Sequence, residues 1–196
     1  MTEANGRSSA YSIDPMFLER WSPRAFADTK IGETELLAIL EAARWAPSSS
    51  NAQPWRFMYA LRGSRAWDTF LGLLVPANQG WAKSASALLY VASNTQTGEP
   101  DAPKPSFSHS FDAGSAWMSF ALQAHLSGWH THGMAGFDKA EAPKALGVPE
   151  TYRIEAAIAI GRIGDKASLP EGLQARETPS DRKPLSSIAT EGGFKA

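Results

Sequence analysis

Residues 112–127 constrain the fold most, because they predict a helix that is apolar on nearly every side. The apolar positions are Ala113, Ala116, Trp117, Met118, Phe120, Ala121, Leu122, Ala124 and Leu126. Gly128 stands where a C-terminal cap belongs. A helix without a polar face must be buried, either beneath the chain's own sheet and helices or partly against a second copy. The sequence therefore predicts a central buried helix and leaves a homodimer open.

Helix and strand patterns alternate along the rest of the chain. Amphipathic periodicity predicts helices over residues 31–45, with Gly32 as the N-cap, and over residues 64–74. Asp138 and Glu141 predict the start of a helix that Pro143 keeps short or distorted. Strands are predicted over residues 56–62, 86–93, 130–136 and 153–160. This alternation favours an α+β or α/β sandwich in which helices cover a central sheet.

Composition excludes several classes of function. The 196 residues are 43% hydrophobic, which suits one domain with a sizeable core. The net charge of -1 argues against a protein dedicated to binding nucleic acids or anionic membranes, because such a protein normally carries an excess of basic residues. The absence of cysteine excludes a disulfide framework, a thiolate metal site and a cysteine nucleophile. We see neither the apolar segment of a signal peptide nor an apolar stretch long enough to span a membrane, and we therefore expect a cytoplasmic protein.

Two polar segments are candidates for ligand binding. Residues 46–55, reading Ala-Pro-Ser-Ser-Ser-Asn-Ala-Gln-Pro-Trp, directly follow the first long helix. Their hydroxyls, carboxamide and backbone N–H groups suit a ligand with many oxygens, and a plain solvated loop is the alternative. Residues 94–110 contain three prolines and no periodicity, which favours a lid, with disorder as the alternative.

Two basic segments are candidates for binding an anion. Arg20-Trp21-Ser22-Pro23-Arg24-Ala25-Phe26 precedes the first long helix, and Arg182-Lys183-Pro184 lies near the C-terminus. Guanidinium forks with a hydroxyl between them can bind a phosphate or another planar anion. Solvated surface arginines and an ordinary charged tail are the alternatives.

Taken in order, these motifs resemble the nitroreductase-like family of FMN-dependent oxidoreductases. The matching motifs are Arg-x-Ser-x-Arg-x-Phe from Arg20, Pro-Ser-Ser-Ser-Asn-x-Gln-Pro-Trp from Pro47, Asn78 with Trp81, Gly136-Phe137-Asp138, and Arg182-Lys183-Pro184. The resemblance extends over about residues 14–190. It implies an α+β fold with a central, mostly antiparallel sheet flanked by helices, in an intertwined homodimer with FMN sites at the interface. We expect a flexible segment over residues 1–13 and a single domain over residues 14–196.

The resemblance also implies which residues hold FMN. Arg20 and Arg182 would bind the FMN phosphate together with Ser22. Arg24 and Asn78 would contact the pyrimidine end of the isoalloxazine ring. From the second copy, Pro47, Ser48, Ser49 and Asn51 would line the dimethylbenzene and ribityl side. The Gly136 N–H would face flavin N5. Trp21 and Ala135 complete the implied set. Trp21 stands where many members carry arginine or histidine, and Ala135 stands where some members carry an acidic residue.

The implied activity is hydride transfer from NADH or NADPH, as co-substrate, through flavin N5 to a nitroaromatic, quinone or similar small acceptor. The two substrates would use one site in turn, in a ping-pong cycle. We expect no catalytic side chain, because the cofactor carries the chemistry. Two alternatives stay open: a flavoenzyme of the same fold with another reaction, such as reductive dehalogenation or flavin fragmentation, and a non-catalytic flavin-binding protein.

The histidines do not predict a metal site. His130 and His132 are two residues apart and would share one face of a strand. A zinc site needs a third protein ligand, and no cysteine is present to supply it. We therefore expect structural or surface histidines and no bound metal.

Overall fold

The computed structural model describes residues 1–99 and 101–194. The strands are β1 (Glu3–Ala4), β2 (Arg7–Ser8), β3 (Trp55–Leu61), β4 (Ala87–Asn94), β5 (Gln96–Thr97), β6 (Lys104–Pro105), β7 (His130–Met134) and β8 (Tyr152–Gly161). The helices are α1 (Met16–Glu19), α2 (Glu33–Arg44), α3 (Trp67–Gly72), α4 (Pro76–Ala82), α5 (His109–Leu126), α6 (Glu141–Ala145) and α7 (Glu171–Gln174). Pro100, in the predicted lid, and residues 195–196, at the end of the predicted domain, lie outside the described residues.

Four strands form the central sheet, in the order β3-β4-β8-β7, with every neighbouring pair antiparallel. Strand β4 is buried on both faces, as its continuous apolar run predicts. Leu88 and Tyr90 pack on the side of α3 and α4, whereas Leu89 and Val91 pack on the side of α2 and α5. Helices thus cover both faces of an antiparallel sheet, which confirms the predicted α+β architecture.

Helix α5 is the central helix, but only one of its faces is buried. Ala116, Phe120 and Ala124 are fully buried against α2 and the sheet. On the opposite face, Phe111, Met118 and Leu126 are 80%, 39% and 66% exposed. Steps of seven and eight residues place these three on one stripe of the helix. Within one chain, α5 is therefore not covered on every side and presents an exposed apolar stripe, while burial partly against a second copy stays a prediction.

Three segments take structure that the pattern did not predict. Helix α4 carries Asn78, and β5 pairs with β6 inside the predicted lid. Strands β1 and β2 form a hairpin within residues 1–13, although the flexibility of that segment in solution stays a prediction. Short helices and two-residue strands leave too few apolar positions to show a period.

The described helices include none with both the length and the apolar character that crossing a bilayer requires.

Candidate cofactor site

The first basic segment begins where α1 ends. Arg20 is the C-cap of α1 and has extended backbone geometry, so the chain leaves the helix there as an open strand-like segment. A cavity of about 370 Å³ lies beside this segment and is lined by Trp21, Ser22, Arg24, His132, Arg176, Thr178 and Ser180. Three of the predicted site residues therefore face one polar cavity.

Glu177 holds the basic segment in place from the C-terminal part of the chain. Its Oε1 accepts hydrogen bonds from the backbone N–H groups of Arg24, at 2.5 Å, and Ala25, at 2.8 Å. Its other carboxylate oxygen lies 3.7 Å from Nη1 of Arg24. Because Glu177 is buried, this contact fixes the backbone of Arg24 and restrains its guanidinium at the edge of the cavity.

Three arginines lie close together at the end of α1. Burial lowers the pKa of the Arg20 guanidinium, and the charges of Arg182 and Arg7 lower it further. Burial likewise lowers the pKa of Arg7, again with a contribution from Arg182, while Asp181 opposes it. Like charges disfavour one another, and a bound anion relieves that repulsion. The structure therefore brings Arg20 and Arg182 together and adds Arg7 to them.

Gly136 and Asn78 are in direct contact. The Gly136 carbonyl accepts hydrogen bonds from Asn78 Nδ2, at 3.0 Å, and from the Val75 N–H, at 3.1 Å. Among the described residues, no hydrogen bond is donated by the Gly136 N–H. Ala135, next to it, is exposed. The Gly136 carbonyl thus accepts two hydrogen bonds, whereas the Gly136 N–H is left to donate to a ligand.

The polar loop at residues 47–51 has a strained backbone. Ser50 and Asn51 have φ values of 50° and 56°, in the left-handed region, and Gln53 follows with 47°. The loop is fixed from within, because Ser48 Oγ accepts a hydrogen bond from the Gln53 N–H at 2.9 Å. Non-glycine residues in this region cost free energy and cluster at binding sites. The loop therefore keeps Ser49 and Asn51 exposed in a defined conformation.

The start of α5 anchors this loop. Asp112, which is buried, accepts hydrogen bonds at Oδ2 from the Ser49 N–H, at 3.3 Å, and from the Ser108 hydroxyl, at 2.9 Å. At the other end of α5, His125 Nε2 lies 3.4 Å from the carboxylate of Glu19, the residue before Arg20. Thirteen residues separate the two contacts, which is about 20 Å along the helix axis. Pro47, Ser48, Ser49 and Asn51 thus lie at the opposite end of α5 from Arg20 within one chain.

Arg7, Asp112 and Glu177 were not among the residues predicted for the site. Arg7 lies in a polar segment without a motif, and Glu177 and Asp112 act on residues far away in the sequence. A single sequence carries little signal for such contacts. The one available hint is Asp112 itself, a carboxylate in a helix that is otherwise apolar.

The histidines of β7 have partners within the fold. His132 Nδ1 contacts the Pro23 carbonyl at 3.0 Å, and its ring lies 4.7 Å from that of Trp81. Burial lowers the pKa of His132, so its ring is neutral near pH 7. No group of three or more metal-binding side chains is found within residues 1–99 and 101–194.

Comparison with known proteins places this site in a family. A sequence model of the Nitroreductase family matches residues 18–71 and 60–162, more than half of the chain. A relative from Mycolicibacterium smegmatis, described as an uncharacterized 15.4 kDa protein in the ask 5′ region, is 34% identical over 70% of this chain and 95% of its own. YdgI of Bacillus subtilis (strain 168), provisionally named as an NAD(P)H nitroreductase, is 26% identical over 90% of this chain and 91% of its own.

A solved structure extends the comparison to the whole fold. The crystal structure of an oxidoreductase containing FMN is 51% identical and superposes with a TM-score of 0.97, covering 100% of this chain and 99% of that one. The antiparallel sheet flanked by helices is therefore the nitroreductase fold. The chain belongs to the nitroreductase family of oxidoreductases.

Proposed function

We propose that this chain is an FMN-dependent NAD(P)H oxidoreductase that acts as a homodimer with FMN sites at the subunit interface. The structure that is 51% identical contains FMN, and the name of the B. subtilis relative points to NADH or NADPH as the reductant. The acceptors are nitroaromatics, quinones or similar small molecules. The lack of cysteines supports the cytoplasm as the compartment.

The observation that carries the proposal is the group of guanidinium side chains at the end of α1. Burial lowers the pKa of the Arg20 guanidinium, and the nearby charges of Arg182 and Arg7 lower it further. A phosphate dianion suits such a group, since two guanidinium groups can each donate two hydrogen bonds to it. The donors of this chain therefore fit the phosphate of FMN.

The remaining roles follow the order of the motifs, together with the contacts that these residues make. Ser22 and Trp21 lie on the cavity wall beside Arg24, whose charge suits the pyrimidine end of the flavin. Asn78 holds the Gly136 carbonyl and thereby fixes the neighbouring peptide, so that the free Gly136 N–H can donate to N5. Pro47, Ser48, Ser49 and Asn51 complete the site from the second copy, and Ala135 borders Gly136.

When bound, FMN would supply the redox chemistry, which is hydride transfer from a reduced nicotinamide to an acceptor in a ping-pong cycle. The side chains of this protein bind, orient and adjust charge. Glu177 restrains Arg24, whose positive charge would stabilise the negative charge that reduction places near the pyrimidine. No protein nucleophile or general base is needed for these steps.

The test begins with the purified protein. It should retain FMN through gel filtration, and NADH or NADPH should bleach the flavin absorbance without oxygen. Adding a nitroaromatic or a quinone should then restore the absorbance. A protein that stays colourless after incubation with FMN would refute the proposal, whereas a yellow protein that neither nicotinamide bleaches would leave only flavin binding.

A substitution tests the phosphate contact. Arg20→Ala removes a charge-assisted contact worth about 1.5 to 3 kcal/mol, so affinity for FMN should fall roughly ten- to hundredfold. The matched control is Arg65→Ala, which removes the same charge from an exposed position elsewhere. Equal FMN affinity in the two variants would refute the role of Arg20.

A further inference from the structure

The hairpin formed by β1 and β2 is fastened to the segment that carries Arg20. Arg7 Nη1 donates to the carbonyl of Leu18 at 2.8 Å and to that of Arg20 at 3.1 Å. Beside it, Asn5 Nδ2 donates to the carbonyl of Glu19 at 3.1 Å. These three carbonyls belong to the last turn of α1, where helix acceptors lack internal partners. The hairpin thus places the Arg7 guanidinium against the backbone of Arg20.

Only part of the Arg7 guanidinium is used by these contacts. Among the described residues, the buried Nε of Arg7 has no hydrogen-bond partner. A buried donor without a partner is costly, and guanidinium groups of this kind are usually paired with an anion. Asp181 is the carboxylate close to Arg7, but its Oδ1 accepts a hydrogen bond from the Arg182 N–H. Among the described residues, no carboxylate forms an ion pair with Arg7 within 4 Å, so its positive charge is only partly balanced by Asp181.

A cavity connects Arg7 with the C-terminal basic segment. It has a volume of about 400 Å³ and lies between the hairpin and residues 181–188. Arg7, Arg182 and Lys183 contribute its positive charges, whereas Leu18 and Ile188 supply apolar walls. Two segments at opposite ends of the sequence therefore meet at one basic cavity.

We infer that Arg7 is a third phosphate-binding arginine of the FMN site, brought there by the N-terminal hairpin. The inference rests on the proposed function and adds a residue to it. Arg7 acts with Arg20 and Arg182 on the same anion, because the three lie close together and the Arg7 fork is anchored on the backbone of Arg20. Residues 1–13 are then part of the cofactor site, and bound FMN holds the hairpin against α1.

The test compares FMN with riboflavin, which lacks the phosphate. Arg7→Gln should raise the Kd for FMN about tenfold and leave the Kd for riboflavin within about twofold, since only FMN has the anion. The salt dependence of FMN binding should become shallower, because one cation fewer is involved. Arg65→Gln controls for net charge. Asn5→Gly controls for the hairpin, since it removes the bond to Glu19 and still permits the positive φ of 55° at that position.

Several results would overturn the inference. If Arg7→Gln leaves FMN affinity unchanged, weakens FMN and riboflavin equally, or matches Asn5→Gly, then Arg7 is only a structural anchor. If Arg7→Gln does not fold, Arg7→Lys serves in its place. It should lose FMN affinity several-fold with riboflavin unaffected, and equal losses would count against the role.

The same experiment separates this inference from the proposed function. If the wild-type protein binds neither flavin, the proposed function fails, and inorganic phosphate becomes the probe. Phosphate should then raise the Tm of the wild-type protein and of Arg65→Gln, but not of Arg7→Gln. An equal rise in all three proteins, or none in any, would overturn the inference as well.

Discussion

At position 136 the side chains of Asn78 and Val75 leave no room for a Cβ. A Cβ on Gly136 would lie 2.6 Å from Asn78 Nδ2 and 3.0 Å from Val75 Cγ2. The obstructing atom of Asn78 ends a side chain that can rotate, whereas Val75 is branched and stiffer. Glycine is therefore required here for the contact that holds the 136–137 peptide, and less so for the fold as a whole.

Replacing this glycine should separate binding from folding. In Gly136→Ala, Asn78 must rotate away from the Gly136 carbonyl, so we expect FMN affinity to fall about tenfold, equivalent to about 1.4 kcal/mol. The free energy of unfolding should fall by no more than about 1 kcal/mol, because Asn78 can move. Gly80→Ala, where no atom lies within 4 Å of the added Cβ, is the control. Normal FMN affinity in Gly136→Ala would contradict the assigned role.

His130 makes stability depend on pH. Burial lowers the pKa of His130 to about 4, and His125, Arg20 and Arg162 add to the effect. In the unfolded chain the pKa of His130 is about 6.5. Below that pH the unfolded chain therefore binds a proton at His130 that the folded chain does not bind. Stability is therefore complete above about pH 6.5 and is lost as the pH falls towards 4.

Urea unfolding at pH 7 and pH 5 can measure this contribution. We expect protonation of His130 to lower the free energy of unfolding of the wild type by on the order of 1 kcal/mol between pH 7 and pH 5. The figure is kept small because His130 is partly exposed. His130→Gln has no such titration, so its loss should be smaller by that amount. Parallel pH curves for the two proteins would show that His130 does not titrate in this range.

At the scale of elements, α5 joins two distant parts of the chain. Its first turn holds the strained loop through Asp112, and its last turn contacts Glu19 through His125. A buried helix can do this because α2 and the sheet fix its position along its whole length. The geometry of the loop thus depends on one carboxylate in α5 as well as on the loop's own residues.

Removing that carboxylate should release the loop. Asp112→Ala leaves the N–H of Ser49 without its acceptor, and we expect faster hydrogen exchange at residues 48–51 and a loss of about 1 to 3 kcal/mol in unfolding free energy. Ser108→Ala keeps the bond to Ser49 and should leave exchange in the loop near the wild-type rate. Equal exchange in wild type and Asp112→Ala would mean that the strained backbone holds itself.

At the scale of the molecule, one chain does not bring the two halves of the proposed site together. The loop at residues 47–51 and Arg20 lie about 20 Å apart along α5. The apolar stripe of Phe111, Met118 and Leu126 remains uncovered between them. A large exposed apolar surface of this kind favours association, and a twofold axis would place each loop near the other copy's arginines.

Mixed dimers test this arrangement. Arg20→Ala damages one half of the site, and the double variant Ser49→Ala/Asn51→Gly damages the other. If each site takes its halves from two chains, a heterodimer of the two variants keeps one intact site and should bind about half the FMN of the wild-type dimer at high affinity. Titration of the purified heterodimer measures this. Two equally weakened sites would show that each site lies within one chain.

The local pattern predicts much of the fold. A continuous apolar run predicted β4, and Gly32 predicted the N-cap of α2, because burial and capping act on neighbouring residues. Helix α4 and the β1–β2 hairpin are too short for a periodic signal. Among site residues, motif order pointed to Arg20, Arg182, Asn78 and Gly136, and the structure places the two arginines together and joins Asn78 to Gly136.

The sequence by itself determined the family, through its order of motifs, and it indicated the antiparallel sheet only through that resemblance. The polar loop follows from local composition. Only the tertiary structure decided that Glu177 holds Arg24, that Asp112 holds Ser49 and that Arg7 lies against the backbone of Arg20. Each of these contacts joins residues whose separation in the sequence bears no fixed relation to their distance in space. A single chain carries periodicity along its length, but the pairing of distant charges exists only after the core has formed.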